Sequence, residues 1–482
     1  MKLNKLEIHN FKSIEHVELE LKKIGDNYTY CLFGINESGK SSILKAISLY
    51  DEENLTYPED YFDETKNVEI SFHYSISQNI IKELREQLIK DNKCPKEIAS
   101  KISATDVIIK IFFNNDTEIE REIIEEVNFK TNIFKGYSSN AKTITKKEKE
   151  STEEDFNLTS FIKSNYPDFF YGFSHTVVFW ESTSKYLILD EISLTDFSAK
   201  PSSISIPLYN CFKLAGIKTT KEITKKISSL TSHARIRNLE SLLSRKVTEH
   251  INTIWENHPI SILFEIDSDK ISLLIEDKDV HDKAKTTSQR SDGFKQFISF
   301  LLTISADDKT ESLNNKILLM DEPETHLHPQ AQLNLRKELN KITTKQNSTY
   351  VIYATHSNYL IDKSNLNRNF KVFKENNEKT KVERIERTSS SYSEVNFEVF
   401  DIPTTDYHNE LYGYLEEVDN AKLQGLDQDK QWIDSRNNNT YNVSLPKYIR
   451  HSIHHPENTL NRKFTEAQLK KSIKILRKLK YD

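Results

Sequence analysis

The stretch Gly34-Ile-Asn-Glu-Ser-Gly39-Lys40-Ser41 fits the pattern G-x-x-x-x-G-K-[ST] and constrains this chain more than any other feature. An apolar run, 28–33, precedes it, and Ile43, Leu44, Ala46 and Ile47 follow at helical spacing. Only 9 glycines occur in the chain, so two in one short loop are informative. Glycines let the backbone curl until successive N–H groups face phosphate oxygens at a positive helix end. Lys40 is then placed for the β and γ phosphates of a nucleoside triphosphate, and the Ser41 hydroxyl for its magnesium ion. The plainer reading is a glycine-bearing turn, which the complete motif in a strand–loop–helix context outweighs.

A second apolar run, 316–320, ends in Asp321-Glu322-Pro323. Two carboxylates at a strand's C-terminal end lie where open α/β sheets bind ligands. Asp321 suits the magnesium shell, and Glu322 suits a general base for the attacking water. Acidic strand ends are common, so this signal gains its weight from the phosphate loop. Ser291-Asp292-Gly293 opens a helical pattern 30 residues before Asp321 and offers a hydroxyl and free N–H groups. The run 349–354 delivers Thr355-His356-Ser357, which puts an imidazole at a strand end. Alone, the first reads as an ordinary helix cap and the second as a surface histidine; their order relative to the other motifs favours a shared site.

The chain has 482 residues, with 67 Lys and Arg against 73 Asp and Glu, for a net charge of −6. That balance excludes a binder basic over its whole surface. No apolar run approaches the roughly 20 residues of a membrane-spanning helix, and the N-terminal segment reads as strand. Cys31, Cys94 and Cys211 lack metal-ligand spacing and leave one unpaired in any disulfide scheme. Reducing cytoplasm is the expected compartment.

Apolar strands alternating with helices predict a largely parallel α/β core. The segment 219–257 carries amphipathic helical spacing without a heptad seam, predicting a helical insertion at about 213–257. The polar stretch 141–155 reads as an exposed loop, and 374–394 as a linker. Residues 396–482 read as a small helical domain. Within it, 401–435 hold two lysines against nine carboxylates, and 436–482 hold eleven Lys and Arg against three. Thr465 and Gln468 form a capping box ahead of an apolar stripe at Leu469, Ile473, Leu476 and Leu479.

The set GINESGKS, QRSDGFKQF, LLMDEPETHLHP and ATHS resembles the ABC-type ATPases of the group that contains SMC, RecF and OLD proteins. The resemblance covers about 1–375. Its DEPE-x-x-LHP form is similar to the OLD-like ATPases of bacterial anti-phage systems, Septu-type and PARIS-type among them. It implies an ABC-type head in which two heads, as a homodimer or higher homo-oligomer, sandwich two ATP molecules with Mg2+. One head would supply Gly34, Asn36, Gly39, Lys40, Ser41, Ser42, Asp321, Glu322 and His356; its partner would supply Ser291 and Gly293. The signature SDGFKQ and the stretch Thr325-His326-Leu327-His328 depart from the transporter forms, and Gln78 is the candidate Q-loop glutamine. His326, His328 and Glu324 also read as a metal cluster, but a turn and helix start fit the position better.

SMC relatives insert long coiled coils between phosphate loop and signature. Here 250 residues with short helical patterns separate Ser41 from Ser291, which excludes chromosome bridging. A transporter is excluded as a single chain because nothing spans a membrane, and the divergent signature argues against a detached transporter ATPase. The Asp427-Gln-Asp429 pair matches a Toprim nuclease superficially and reads as solvated loop. Arg450 and His455 fit R-x4-H, which resembles the active motif of HEPN ribonucleases. Five helical steps turn about 500°, leaving those side chains about 140° apart, and His454 shares the arginine's face better. The alternative, slightly favoured, is a basic helix that packs on the ATPase or docks a nuclease partner. The resemblance implies an ATP-hydrolysing regulator of anti-phage defence. It would control a nuclease effector that is a partner or its own C-terminal domain, with RNA or DNA as candidate targets and no membrane. A RecF-like DNA-repair clamp is the alternative.

Overall fold

The computed structural model describes the chain apart from residues 52–54, 117–118, 141, 149–150, 181–182, 255–258, 278–282, 291–293, 297, 303–314, 326, 346–347, 377, 387–389 and 482. Two compact units emerge: 1–362 with 367–385, and 363–366 with 386–482.

The first unit begins with strands β1 (Lys2–Phe11) and β2 (Ile14–Glu20), then β3 (Thr29–Phe33) and helix α1 (Lys40–Ser48). Strand β4 (Val68–Ser75), helix α2 (Gln78–Asn92), β5 (Ala104–Phe113), β6 (Arg121–Phe129) and β7 (Thr176–Trp180) follow. After these come helices α3 (Thr220–Ser228) and α4 (His233–Ile254), with β8 (Ile260–Asp267) and β9 (Lys270–Asp277). Last are β10 (Lys316–Asp321), α5 (Pro329–Lys345), β11 (Tyr350–Thr355), β12 (Asn369–Glu375) and β13 (Lys379–Arg384).

Six strands form one sheet in the order β7-β10-β11-β3-β12-β13. The first five are parallel, and only β13 runs against its neighbour. Every residue of β3 and of β11 is buried, as expected of parallel strands covered on both faces. Because β10, β11 and β3 are parallel and adjacent, Asp321, Thr355 and the loop after Phe33 emerge on one edge. A second, antiparallel sheet, β2-β1-β4-β5-β6, alternates buried and solvent-facing residues, with Leu6, Ile8, Ile70, Phe72, Ile109 and Ile111 turned into a core shared with the parallel sheet.

Helix α4 covers the open edge of β8 in an unusual way. Glu240, Ser244, Thr248 and Asn252, four residues apart, accept from the N–H groups of Ile266, Phe264, Ile262 and Ile260 at 2.6, 2.9, 2.8 and 3.0 Å. Four-residue spacing keeps the acceptors on one helix face, and alternate strand N–H groups point to one side. The helix thus completes an edge that would otherwise expose a row of donors.

Two polar stretches depart from expectation. Within 374–394 the chain forms most of the β12–β13 hairpin, with Val372 paired to Val382 and Lys374 to Thr380. Of the described hairpin residues within that stretch only Thr380 is buried, too little for a periodic signal. Within 141–155, Ile144–Lys146 pairs with Tyr137–Ser139, anchored by buried Ile144.

The second unit contains α6 (Tyr392–Phe400), α7 (Thr405–Val418), β14 (Lys430–Ile433), β15 (Thr440–Val443), α8 (Leu445–His454) and α9 (Glu466–Tyr481). It is not purely helical, because β14 and β15 form an antiparallel hairpin. Its core gathers Tyr407, Leu411, Trp432, Ile449, Ile473 and Leu476. A buried contact of 2.9 Å between His408 Nε2 and Ser472 Oγ joins α7 to α9. The capping box is present, with Gln468 N donating to Thr465 Oγ1 at 3.3 Å and Thr465 N to Gln468 Oε1 at 2.9 Å. Among the described residues no helix is long and apolar enough to cross a membrane.

Candidate nucleotide site

The phosphate-loop motif occupies the turn between β3 and α1, and two of its glycines are sterically required. A Cβ on Gly34 would fall 2.1 Å from the carbonyl oxygen of Val372 on β12. A Cβ on Gly39 would fall 2.2 Å from Thr380 Oγ1 on β13, and Gly39 has φ 105° besides. Thr380 Oγ1 also donates to Ser38 O at 3.1 Å and lies 2.8 Å from Ser13 Oγ. The hairpin therefore braces the loop from behind.

Lys40 is 4 % exposed, and its Nζ donates to Gly34 O at 3.1 Å and Ile35 O at 3.0 Å. Burial lowers its pKa to about 8, opposed by the carboxylates of Glu322 and Asp321. Ser41 is exposed at the helix start, Ser42 is half-buried and Asn36 is exposed. The first-turn N–H groups of α1, those of Lys40, Ser41 and Ser42, have no acceptor within the helix.

Asp321 ends β10, and Glu322 follows in the left-handed region at φ 47°. A non-glycine residue there costs about 1–3 kcal/mol, which the surrounding contacts offset. Glu322 N donates to Ala354 O at 3.0 Å, which ties the turn to β11. Glu322 Oε1 meets His356 Nε2 at 2.9 Å. Burial and then the Lys40 ammonium hold the His356 pKa below the usual imidazole value, against the pull of Glu322.

Glu324 lies in the turn after β10, the placement that the sequence favours over a metal cluster. It is buried, and Oε1 accepts from Thr355 Oγ1 and from His356 N at 3.0 Å. Burial raises its pKa. His328 is exposed, and His326 lies outside the described residues. Gln332 on α5 donates from Nε2 to Leu327 O at 2.7 Å and bonds Ser357 Oγ, so it also links the turn after β10 to the end of β11.

Ser291 and Gly293 lie outside the described residues. Immediately before them, Arg290 pairs with Asp277 at 2.8 Å and rests on the Phe294 ring at 5.0 Å. Gln78 is exposed in the first turn of α2.

The C-terminal R-x4-H residues meet different neighbours. Arg450 Nη1 donates to Asn409 Oδ1 at 3.0 Å, and its guanidinium lies 5.4 Å from the Tyr412 ring on α7. His455 turns to Trp432 at 6.5 Å and Glu457 at 3.3 Å, while His454 is exposed. As helical geometry anticipates, residues five apart face different neighbours.

The donor set fits a magnesium nucleotide: a glycine cradle that no side chain could enter, a buried ammonium, an exposed Ser41 hydroxyl and the Asp321 carboxylate. Together with the parallel sheet, this defines a mixed α/β P-loop ATPase head. The chain belongs to the AAA ATPase domain family, whose model matches residues 1–361. The uncharacterized protein MJECL43 of Methanocaldococcus jannaschii is 27% identical over 135 residues, 27% of this chain; the chain spans 34% of that relative's length. Among solved structures, an Smc head bound to the C-terminal winged-helix domain of ScpA is similar at TM-score 0.42 and 12% identity, over 80% of this chain and 98% of that one. The SMC head of Thermotoga maritima has a TM-score of 0.37 and 11% identity, over 80% and 100% of the two chains.

Proposed function

We propose that this protein hydrolyses ATP at the site built by Lys40, Ser41, Asp321, Glu322 and His356, and that nucleotide state regulates a nuclease effector in bacterial anti-phage defence. The observation that carries the hydrolytic part is the contact between Glu322 and His356, beside the buried Lys40. Lys40 and the first-turn N–H groups of α1 would bind the β and γ phosphates. Ser41 and Asp321 would hold Mg2+, which when bound neutralises phosphate charge. Glu322 would take a proton from the attacking water at its carboxylate, and His356 would hold that carboxylate in place. Ser291 and Gly293 of a second head would complete the site, so the working form is a homodimer or higher homo-oligomer.

The defence role rests on the resemblance of the DEPE-x-x-LHP stretch to OLD-like ATPases. The divergent surroundings of Arg450 and His455 favour an effector supplied by a partner over a ribonuclease built into α8. Phage plating on host cells carrying wild type or Lys40→Ala, with co-purification of bound proteins, tests this reading. Protection that needs Lys40 and a co-purifying nuclease is the expected result. Salt-sensitive stimulation of ATP hydrolysis by DNA, with no effect on plating, would instead assign a RecF-like clamp.

A further inference from the structure

Two clefts flank Trp432 in the second unit, and they differ in charge. One, of about 440 Å³, is lined by Asp434 and Glu457 as well as by Arg436 and Lys447. Asp434 already pairs with Arg436 at 2.7 Å, and Glu457 with His455 at 3.3 Å. Positive charge there is largely neutralised.

The other cleft, of about 630 Å³, has no carboxylate in its lining. Arg462 and Lys463 are exposed at its wall and have no ion-pair partner among the described residues. Ile453, Pro456 and Phe464 supply apolar surface, and His455 sits between the two clefts. The wall carrying the cations is fixed in place. Asn461 accepts from Ile433 N at 2.9 Å and donates to Ile433 O at 2.8 Å, and Asn458 donates to the same carbonyl at 2.9 Å. Tyr448 Oη bonds the Arg462 carbonyl from α8. The loop 456–464 is thus pinned to both the hairpin and the helix.

A volume of this size suits a small organic ligand, since ligand pockets span about 300–1,000 Å³. Two unpaired cations without a competing carboxylate select an anion, and a guanidinium favours phosphate through its fork of donors. Apolar walls beside the cations call for a flat, weakly polar ring in the same molecule. We propose that this cleft binds a nucleoside phosphate, with the phosphate on Arg462 and Lys463 and the base against Ile453, Pro456 and Phe464. The ligand is either a free nucleotide or the phosphorylated end of a single strand. The inference goes beyond the ATPase reading and does not depend on it.

Equilibrium binding to the full chain, with the head saturated by a non-hydrolysable ATP analogue, tests it with four probes: UMP, uridine, 5′-phosphorylated tetrauridylate and an acidic hexapeptide. UMP is expected to bind at least ~10-fold more tightly than uridine, a factor worth about 1.4 kcal/mol. Arg462→Glu with Lys463→Glu is expected to remove that binding while leaving ATP hydrolysis and thermal midpoint unchanged, because both side chains are exposed. Equal affinity for UMP and the tetranucleotide identifies a free nucleotide. Tighter tetranucleotide binding, with a salt slope steeper by about 0.7 for each added phosphate contact, identifies a strand end. Equal binding of uridine and UMP, nucleotide binding that survives the double substitution, or binding of the peptide alone would each overturn the assignment.

Discussion

His356 Nε2 and Glu322 Oε1 stand 2.9 Å apart although they leave the ends of different strands, β11 and β10. The contact holds the carboxylate at the mouth of the phosphate loop, on a backbone already at φ 47°. A neutral imidazole suits this task, because it donates one hydrogen bond without neutralising the base. Burial and the Lys40 ammonium lower its pKa, which favours that neutral form.

Glu322→Gln keeps the shape and the hydrogen-bonding capacity but removes the base. It is expected to retain ATP binding, lose hydrolysis by about 100-fold or more, and accumulate nucleotide-bound dimers. Light scattering with ATP and steady-state turnover read these effects together. If the variant dimerises no more than wild type does, the two-headed site is wrong.

Lys40 gives the pH dependence a definite sign. Its pKa is about 8 without phosphate, and an anionic phosphate at hydrogen-bonding distance raises it. Between those two values, binding ATP takes up a proton. The Lys40 contribution to affinity is therefore level below about pH 8 and falls by up to about tenfold per unit above it. Calorimetry near pH 8.5 in buffers of different ionisation heat is expected to show proton uptake by wild type. Lys40→Arg, which stays charged throughout, is expected to show none.

How far the sequence was readable depends on the range of the contacts involved. The phosphate loop and the Asp-Glu strand end are local patterns with their meaning inside a dozen residues, and their strands flank β11 in the parallel sheet. Thr380 braces the same loop from 342 residues away in sequence, in a stretch whose polarity resembles a linker. Nothing local distinguishes that threonine from its neighbours. Glu240, Ser244, Thr248 and Asn252 carried a regular spacing, yet on an amphipathic helix it looks like solvent-facing polarity until β8 is placed beside it. The R-x4-H pattern is a different case. Residue types matched a motif while α7 took Arg450 and the hairpin took His455.

Thr380 is expected to act on nucleotide affinity more than on chemistry, because it touches the loop and not the carboxylates. Thr380→Ala removes the bond to Ser38 O and the contact with Ser13, while Thr380→Ser keeps both. The alanine variant is expected to raise KM for ATP by about 5–10-fold with kcat within about twofold, consistent with losing roughly 1 kcal/mol of loop bracing. The serine variant is expected to restore KM. A fall in kcat at unchanged KM would instead place Thr380 in the hydrolytic step.

Glu324 offers the sharpest separation between positioning and general base. Its Oε1 accepts from both Thr355 Oγ1 and His356 N, so it fixes the strand end that presents the imidazole. It is buried, and the oxygen that faces the strand end is already taken by two donors, which suits it to positioning. Glu324→Gln preserves an oxygen acceptor at the same place and is expected to keep hydrolysis within about threefold. Glu324→Ala leaves two buried donors without their acceptor, a loss of about 1–3 kcal/mol for each unsatisfied group. It is expected to lower the thermal midpoint and to slow hydrolysis by more than about tenfold, and combining it with His356→Ala should add little, since both act through the imidazole. A Glu324→Gln variant as inactive as Glu322→Gln would show that Glu324 needs its negative charge, which positioning alone does not require.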